Sequence, residues 1–281
     1  MGARKFTKEE EKRIIVPVVE ELARIHDKNS TVIVGIQGGQ GTGKTTIVKF
    51  MEKYLQGKKF KVKSFSIDDF YKTWKERKKL QDKYSDNAFY QISRGLPGTH
   101  RVEELFSVLK KAKEGKPFKI PAFDKSLHQG KGDVLKKTLK VDTKQDFILF
   151  EGWCVGLPDV SSPKLIQICK KNKIDLKKLD PRLKDHKVVL NFTKNYQKIW
   201  KLLDYTVMLK ADSSEVHKKW RLLQEKRLKE KKGESMSKKE AAAFVEPYLP
   251  FTYVCYDLLD SDVKVLIDEK HNFYKISFNT R

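Results

Sequence analysis

Apolar residues fall along the chain in two alternating rhythms. Five short runs rich in β-branched side chains have the length of buried strands: TVIVGI at 31–36, KVKSFSI at 61–67, DFILFEG at 146–152, YTVMLKA at 205–211 and DVKVLID at 262–268. Between them apolar positions recur three and four residues apart, the period of a helix with one buried face. Thr7 followed by Glu10 has the spacing of a capping box, and Ile15, Val18, Val19 and Leu22 then share a face. Pro17 predicts a kink in that helix or a second start. Further helices are predicted at 44–55, at 102–115 with Gly115 in the C′ position, at 183–203 and at 213–231. A last one runs from 238 onward, interrupted near Pro247 and Pro250.

Strands that alternate with helices predict an α/β fold, a mostly parallel five-stranded sheet with helices on both faces and right-handed crossovers. The stretch 70–144 has few strand signals and many Gly, Pro and Lys residues, so it reads as substrate-binding insertions rather than a separate domain. The chain, 1–281, is read as a single domain, with an N-terminal helix in 1–30 and a charged, mobile helical lid in 212–235.

Composition narrows the class. Hydrophobic residues make up 39% of 281, enough for a substantial core. No apolar run approaches the ~20 residues of a membrane span, and MGARKFTKEEEKR lacks the apolar stretch of a secretory leader. Phe6 stands where a myristoylation signal needs Ser or Thr. Cys154, Cys169 and Cys255 are far apart with no C-x-x-C pair, which argues against a zinc knuckle or disulfide framework and predicts free thiols in a reducing cytoplasm. Sixty Lys and Arg against 37 Asp and Glu leave a net charge of +23. Such a charge steers anionic small molecules, binds nucleic acid, or simply marks a lysine-rich surface. The basic runs, such as KERKKLQDK and KKNKIDLKK, are dispersed and mixed with acids, so a lysine-rich surface is expected and a nucleic-acid partner is not.

The chemistry starts at GIQGGQGTGKTT, 35–46, which contains G-x-x-x-x-G-K-T between a predicted strand and a predicted helix. Gly38, Gly39, Gln40, Gly41, Thr42 and Gly43 form a loop whose backbone N–H groups can turn inward around an anion, and Thr46 continues it into the helix N-terminus. Lys44 is expected to reach the β- and γ-phosphates of ATP, and the Thr45 hydroxyl to ligate Mg²⁺. FSIDDFY, 65–71, places Asp68 and Asp69 at the end of the second strand, where parallel sheets bind ligands. One of the two is expected to face the phosphates and a substrate hydroxyl; a turn or cap is the other reading. ILFEGW ends the third strand on Glu151, where P-loop proteins place a Mg²⁺- and water-organising acid. RGLPGTHR (94–101) and IPAFDKSLHQGKGD (120–133) carry Arg94, His100, Arg101, Asp124, Lys125, His128 and Asp133, and read as loops that bind substrate or as ordinary loops. On the basic helix KKWRLLQEKR, Lys218, Arg221 and Glu225 share a face, which is either solvated or closes Arg221 over the phosphates.

The order Walker A loop, S-x-D-D-F-Y, F-E-G-W resembles the P-loop small-molecule kinases related to uridine kinase, phosphoribulokinase and pantothenate kinase. The finer resemblance, through SIDDFY, RGLPGTH, KIPAFDKS, GKGD, ILFEGW, DPRL, WRLLQE and YLP in that order, is to the D-glycerate 3-kinase family, over about 32–268. That resemblance implies a P-loop kinase fold and Mg²⁺-assisted transfer from ATP to D-glycerate, a small acidic substrate. It implies that Asp68 is the base for the hydroxyl, that Glu151 holds Mg²⁺ through water, and that Arg221 acts from the lid. Asp69, Tyr71, Arg94, His100 and Lys125 are expected at the substrate. The substrate carboxylate needs a cation, and Arg94, Arg101, Lys125 and Lys72 are unranked candidates. The family's loop commonly continues His-Asp where Arg101 follows His100, so Arg101 either alters specificity or merely starts the next helix. The rival activities are kinases of another small alcohol (a nucleoside, pantothenate or a sugar) and a nucleic-acid-associated ATPase.

Overall fold

The computed structural model describes residues 6–91, 94–232 and 238–279. Its strands are β1 (Val32–Gly38), β2 (Val62–Ser66), β3 (Phe118–Asp124), β4 (Asp133–Val141), β5 (Phe147–Gly152), β6 (Tyr205–Ala211), β7 (Val263–Ile267) and β8 (Phe273–Phe278). The main sheet has the order β2-β5-β1-β6-β7-β8, parallel except for β8, which runs antiparallel to β7. The five predicted strands are its parallel members. All seven residues of β1 and all six of β5 are buried, as central strands covered by helices on both faces require. Register matters for the site: Ser66 of β2 and Ile36 of β1 both pair with Glu151 of β5. The carboxyl ends of three strands therefore open side by side.

Two strand pairings lie outside the sequence-based expectation. Strand β8 adds a sixth, antiparallel edge, and only Phe273 of its six residues is buried, so no apolar run announces it. Within 70–144, β3 and β4 form an antiparallel hairpin with an irregularity at Pro121/Ala122, where the missing proline N–H interrupts the ladder. Strand β4 is mostly exposed and lysine-rich, which hides it. The same stretch holds the helix Trp74–Lys83, opened by a Thr73/Glu76 capping box. The helix predicted at 183–203 is broken into His186–Thr193, a 3₁₀ turn and Gln197–Trp200. Pro17 marks a second start: Val16–Ile25 follows a π-type turn, with the proline in its first turn, where no N–H is required. Asp180, His186 and Ser162 form a hydrogen-bonded chain (2.7 and 2.6 Å) that ties the starts of helices His186–Thr193 and Ser162–Lys171 together.

Among the described residues, no helix is long and apolar enough to cross a membrane. Cys154, Cys169 and Cys255 are buried free thiols.

Candidate functional site

The glycine loop leaves β1 at Gly38 and enters the helix Lys44–Gly57, whose N-cap, Gly43, is left-handed at φ 89°. A side chain there would strain the turn that aims the loop's N–H groups inward. Lys44 folds back over the loop, its Nζ donating to the carbonyls of Gly38 (2.8 Å) and Gly39 (3.0 Å). Burial pulls its pKa below the ordinary lysine range, against the attraction of Glu151 and Asp68. Thr45 Oγ1 donates to Glu151 Oε1 at 2.9 Å across the β1/β5 boundary. Burial pushes the Glu151 carboxyl up, with the Lys44 ammonium opposing it.

The loop's outer side is clamped. His217 Nδ1–H donates to the Gln40 carbonyl (2.8 Å) and His271 Nε2–H to that of Gly41 (3.0 Å). Trp220 stacks on His271 with ring centroids 4.0 Å apart. The Tyr256 hydroxyl accepts from the N–H groups of Gly39 (3.2 Å) and Ala211 (3.3 Å). The Gln40 and Gly41 carbonyls and the Gly39 N–H are thus engaged by side chains from outside the loop. His217, His271 and Tyr256 do not stand out in the sequence, and Trp220 does so only as part of WRLLQE, because each reaches the loop only through the fold.

Opposite the loop, β2 ends in a 3₁₀ turn, Ile67–Phe70. The two aspartates there separate in role. Asp69 caps the turn, accepting from the Ser66 N–H at 2.9 Å, and burial raises its pKa. Asp68 accepts from the Tyr71 hydroxyl at Oδ1 (2.8 Å) and from Lys125 Nζ at Oδ2 (2.6 Å). Burial disfavours its charge, but Lys125 and Tyr71 outweigh that and hold the carboxyl at about 2. Thr45, Ser66, Asp68, Asp69, Lys125 and Glu151 line one cleft of about 290 Å³. Its size suits a small acceptor beside a phosphate.

Behind Asp68 stands an aromatic wall. Tyr71 stacks on His100 at 4.6 Å, and Phe123 meets Tyr71 edge-on at 5.0 Å. His100 is 1% exposed, bonds Tyr196 at 2.8 Å through Nδ1, and burial lowers its pKa to about 4, so the ring is neutral. Arg77, fully buried, donates to the carbonyls of Lys72 (2.9 Å), Lys131 (2.8 Å) and Gly132, and so fixes the turn of the hairpin that carries Lys125.

The remaining expected cations do not line this cleft. Arg94 Nη1 donates to the Gly130 carbonyl at 2.5 Å. Arg101 occupies the N-cap position of the helix Val102–Lys113; its guanidinium reaches the Tyr71 carbonyl (3.1 Å) and Glu104 (2.5 Å), so it braces the Asp68 turn from behind. Arg221 lies over the Phe244 ring at 4.3 Å, one contact removed from Tyr248, whose hydroxyl donates to the Arg94 carbonyl. In the expected lid, Val216 and Trp220 are buried while Leu223 is 46% exposed, so the first two turns of Ser214–Lys232 are packed on the loop. Residues 233–235, and the side chain of Glu225, lie outside the described residues.

Residues 33–158 match the model of the phosphoribulokinase/uridine kinase family. An uncharacterized kinase of Schizosaccharomyces pombe, mug58, is 34% identical over 234 residues, covering 80% of this chain and 80% of that protein. The chloroplastic D-glycerate 3-kinase of Arabidopsis thaliana is 31% identical over 78% of this chain, which spans 46% of that longer protein. The structure of a D-glycerate 3-kinase from Cryptococcus neoformans var. grubii superposes with a TM-score of 0.81, covering 94% of this chain and 96% of that one at 23% identity, which shows the fold. The loop, the strand-end acids and these likenesses agree: the chain belongs to the phosphoribulokinase/uridine kinase family of P-loop kinases and is similar to the D-glycerate 3-kinases.

Proposed function

We propose that residues 1–281 act as one kinase domain that transfers the γ-phosphoryl group of ATP to the 3-hydroxyl of D-glycerate, giving 3-phosphoglycerate and ADP. The observation that carries this reading is the Asp68–Lys125 pair, 2.6 Å apart, in a cleft that Thr45 and Glu151 also line. It sets a base for a hydroxyl and a cation for a carboxylate within the span of a three-carbon hydroxy acid. The similarity to the Arabidopsis D-glycerate 3-kinase points the same way. Of the four candidate cations, Lys125 is the one lining the cleft.

In this reading the loop N–H groups and Lys44 grip the phosphates. Thr45 and Glu151 supply hard oxygen donors of the kind Mg²⁺ accepts together with phosphate and water. When bound, that ion neutralises charge on the phosphates. Asp68 orients the acceptor hydroxyl and takes its proton as the oxygen–phosphorus bond forms and the bond to ADP breaks. Even an ordinary aspartate, with a pKa of about 3.9, is a weak base for an alcohol, so its proton transfer comes late and positioning is its main contribution. Arg221 would act by moving from Phe244 toward the phosphates as the helix beyond Trp220 closes. Free buried thiols fit a reducing compartment such as the cytoplasm.

The test is ADP release with Mg²⁺-ATP against D-glycerate, L-glycerate, uridine, pantothenate and ribulose 5-phosphate. Turnover with D-glycerate alone supports the reading. Turnover with uridine or pantothenate instead would refute the acceptor while leaving the kinase.

A further inference from the structure

Both oxygens of Asp68 are occupied: Oδ1 by the Tyr71 hydroxyl and Oδ2 by Lys125. The two partners differ in freedom. Tyr71 is 3% exposed and wedged between His100 and Phe123. The Lys125 side chain is 58% exposed and Asp68 25%, so the ammonium reaches in from solvent on a flexible stem. Its backbone is fixed. Asp124 accepts from the Ser126 N–H at 2.8 Å, and Arg77 and Arg94 hold the carbonyls of Lys131 and Gly130. Lys125 can therefore leave Asp68 by side-chain rotation alone.

The cleft's charge makes that departure depend on the acceptor. Asp68, Asp69 and Glu151 line it, and Lys125 is the single cation among the described residues that do. An entering carboxylate meets three acids and one ammonium. Of the groups lining the cleft, the ammonium that now covers the base is the one that can pair with it.

We propose that Lys125 is a latch on Asp68 that the substrate's own carboxylate opens. The incoming carboxylate draws the ammonium onto itself, and the Oδ2 it vacates accepts the acceptor's hydroxyl. Recognition of the acid and exposure of the base are then one event. A neutral triol of the same length leaves the latch shut, so Lys125 excludes glycerol as well as binding glycerate. This rests on the proposed hydroxy-acid acceptor with Asp68 as its base.

The test compares wild type, Lys125→Met and Lys125→Arg as full chains with Mg²⁺-ATP, measuring kcat and KM for D-glycerate and for glycerol. The side chain is mostly exposed, so both variants should fold, and ATP affinity should stay within about twofold. Lys125→Met should raise the KM for D-glycerate at least tenfold and raise kcat/KM for glycerol at least tenfold. Lys125→Arg, which keeps a cation, should hold glycerol turnover near the wild-type level. Glycerol turnover that does not rise in Lys125→Met overturns the latch and leaves Lys125 a simple carboxylate ligand. A wild-type chain inert toward D-glycerate but active on another acceptor would overturn the underlying reading, and the latch with it.

Discussion

The clamp on the glycine loop can be tested by filling the space it occupies. A Cβ added at Gly39 would lie 2.2 Å from His217 Cε1 and 2.9 Å from both ring nitrogens. Ordinary carbon contacts are about 3.5–4.0 Å, so the overlap exceeds 1 Å on a ring already held by Gln40 and packed against Trp220. Overpacking of this kind costs about 1–3 kcal/mol. Displacing His217 from the Gln40 carbonyl adds about 1 kcal/mol. Gly39→Ala should therefore lose about 2–4 kcal/mol, a fall in Tm on the order of 4–16 °C for a domain of this size. Gly39 is not among the positive-φ glycines, so the penalty is steric and removable. His217→Ala alone forfeits the hydrogen bond and leaves a cavity, but the double variant should recover at least 2 kcal/mol relative to additivity. Urea unfolding of the four proteins, with ATP affinity measured alongside, closes the cycle. Gly41→Ala is the contrast: its Cβ meets Trp220 Cβ at 2.8 Å and φ is +81°, so removing the Trp220 side chain should restore only part of the loss. Wild-type stability for Gly39→Ala, or strict additivity in the double variant, would show that helix Ser214–Lys232 does not brace the loop through His217.

Burial lowers the pKa values of His100 and His217 from 6.5 to about 4, so below pH 6.5 the unfolded chain binds protons that the folded chain refuses. Stability should fall by up to about 2.7 kcal/mol per pH unit from 6.5 toward 4, and urea unfolding of His217→Gln should show about half that slope; an unchanged slope would contradict the burial argument. Tyr71→Phe removes one donor from Asp68, whose lowered pKa stabilises the fold above about 3.8 and ceases to as pH falls through 2. That variant should lose about 1 kcal/mol at neutral pH in urea unfolding, since Asp68 can recruit water, and correspondingly less as pH falls from about 3.8 toward 2. Arg101→Gln should lower Tm by a few degrees and leave the KM for acceptor within threefold, because the side chain braces the turn's carbonyls; a tenfold rise in KM with normal Tm would place it at the substrate.

What the sequence discloses is what is local. The loop from Gly38 to Thr45, Asp68 at one strand end and Glu151 at another can be read because strand-then-ligand spacing is short-range and the sheet's parallel order brings such ends together. The residues alone leave open which of Asp68 and Asp69 faces the hydroxyl, the resemblance names Asp68, and neither records that Asp69 caps a 3₁₀ turn by bonding back to Ser66. Arg101 breaks the family's pattern, yet its side chain turns to backbone carbonyls 30 residues away, which no motif records. The histidine clamps join residues 177 and 230 apart and have no sequence signature. Strands β4 and β8 escape notice because both are mostly exposed, so the alternation that marks a strand carries few apolar residues.

The most direct measurement is the product itself. The chain is incubated with Mg²⁺-ATP and D-glycerate, and phosphorus and proton NMR follow the new species. The expected product is one phosphomonoester, coupled to the two protons of the terminal carbon, formed mole for mole with ADP and absent when Asp68→Asn replaces the wild type. ADP without that ester, or an ester coupled to the single proton of the central carbon, would contradict that expectation.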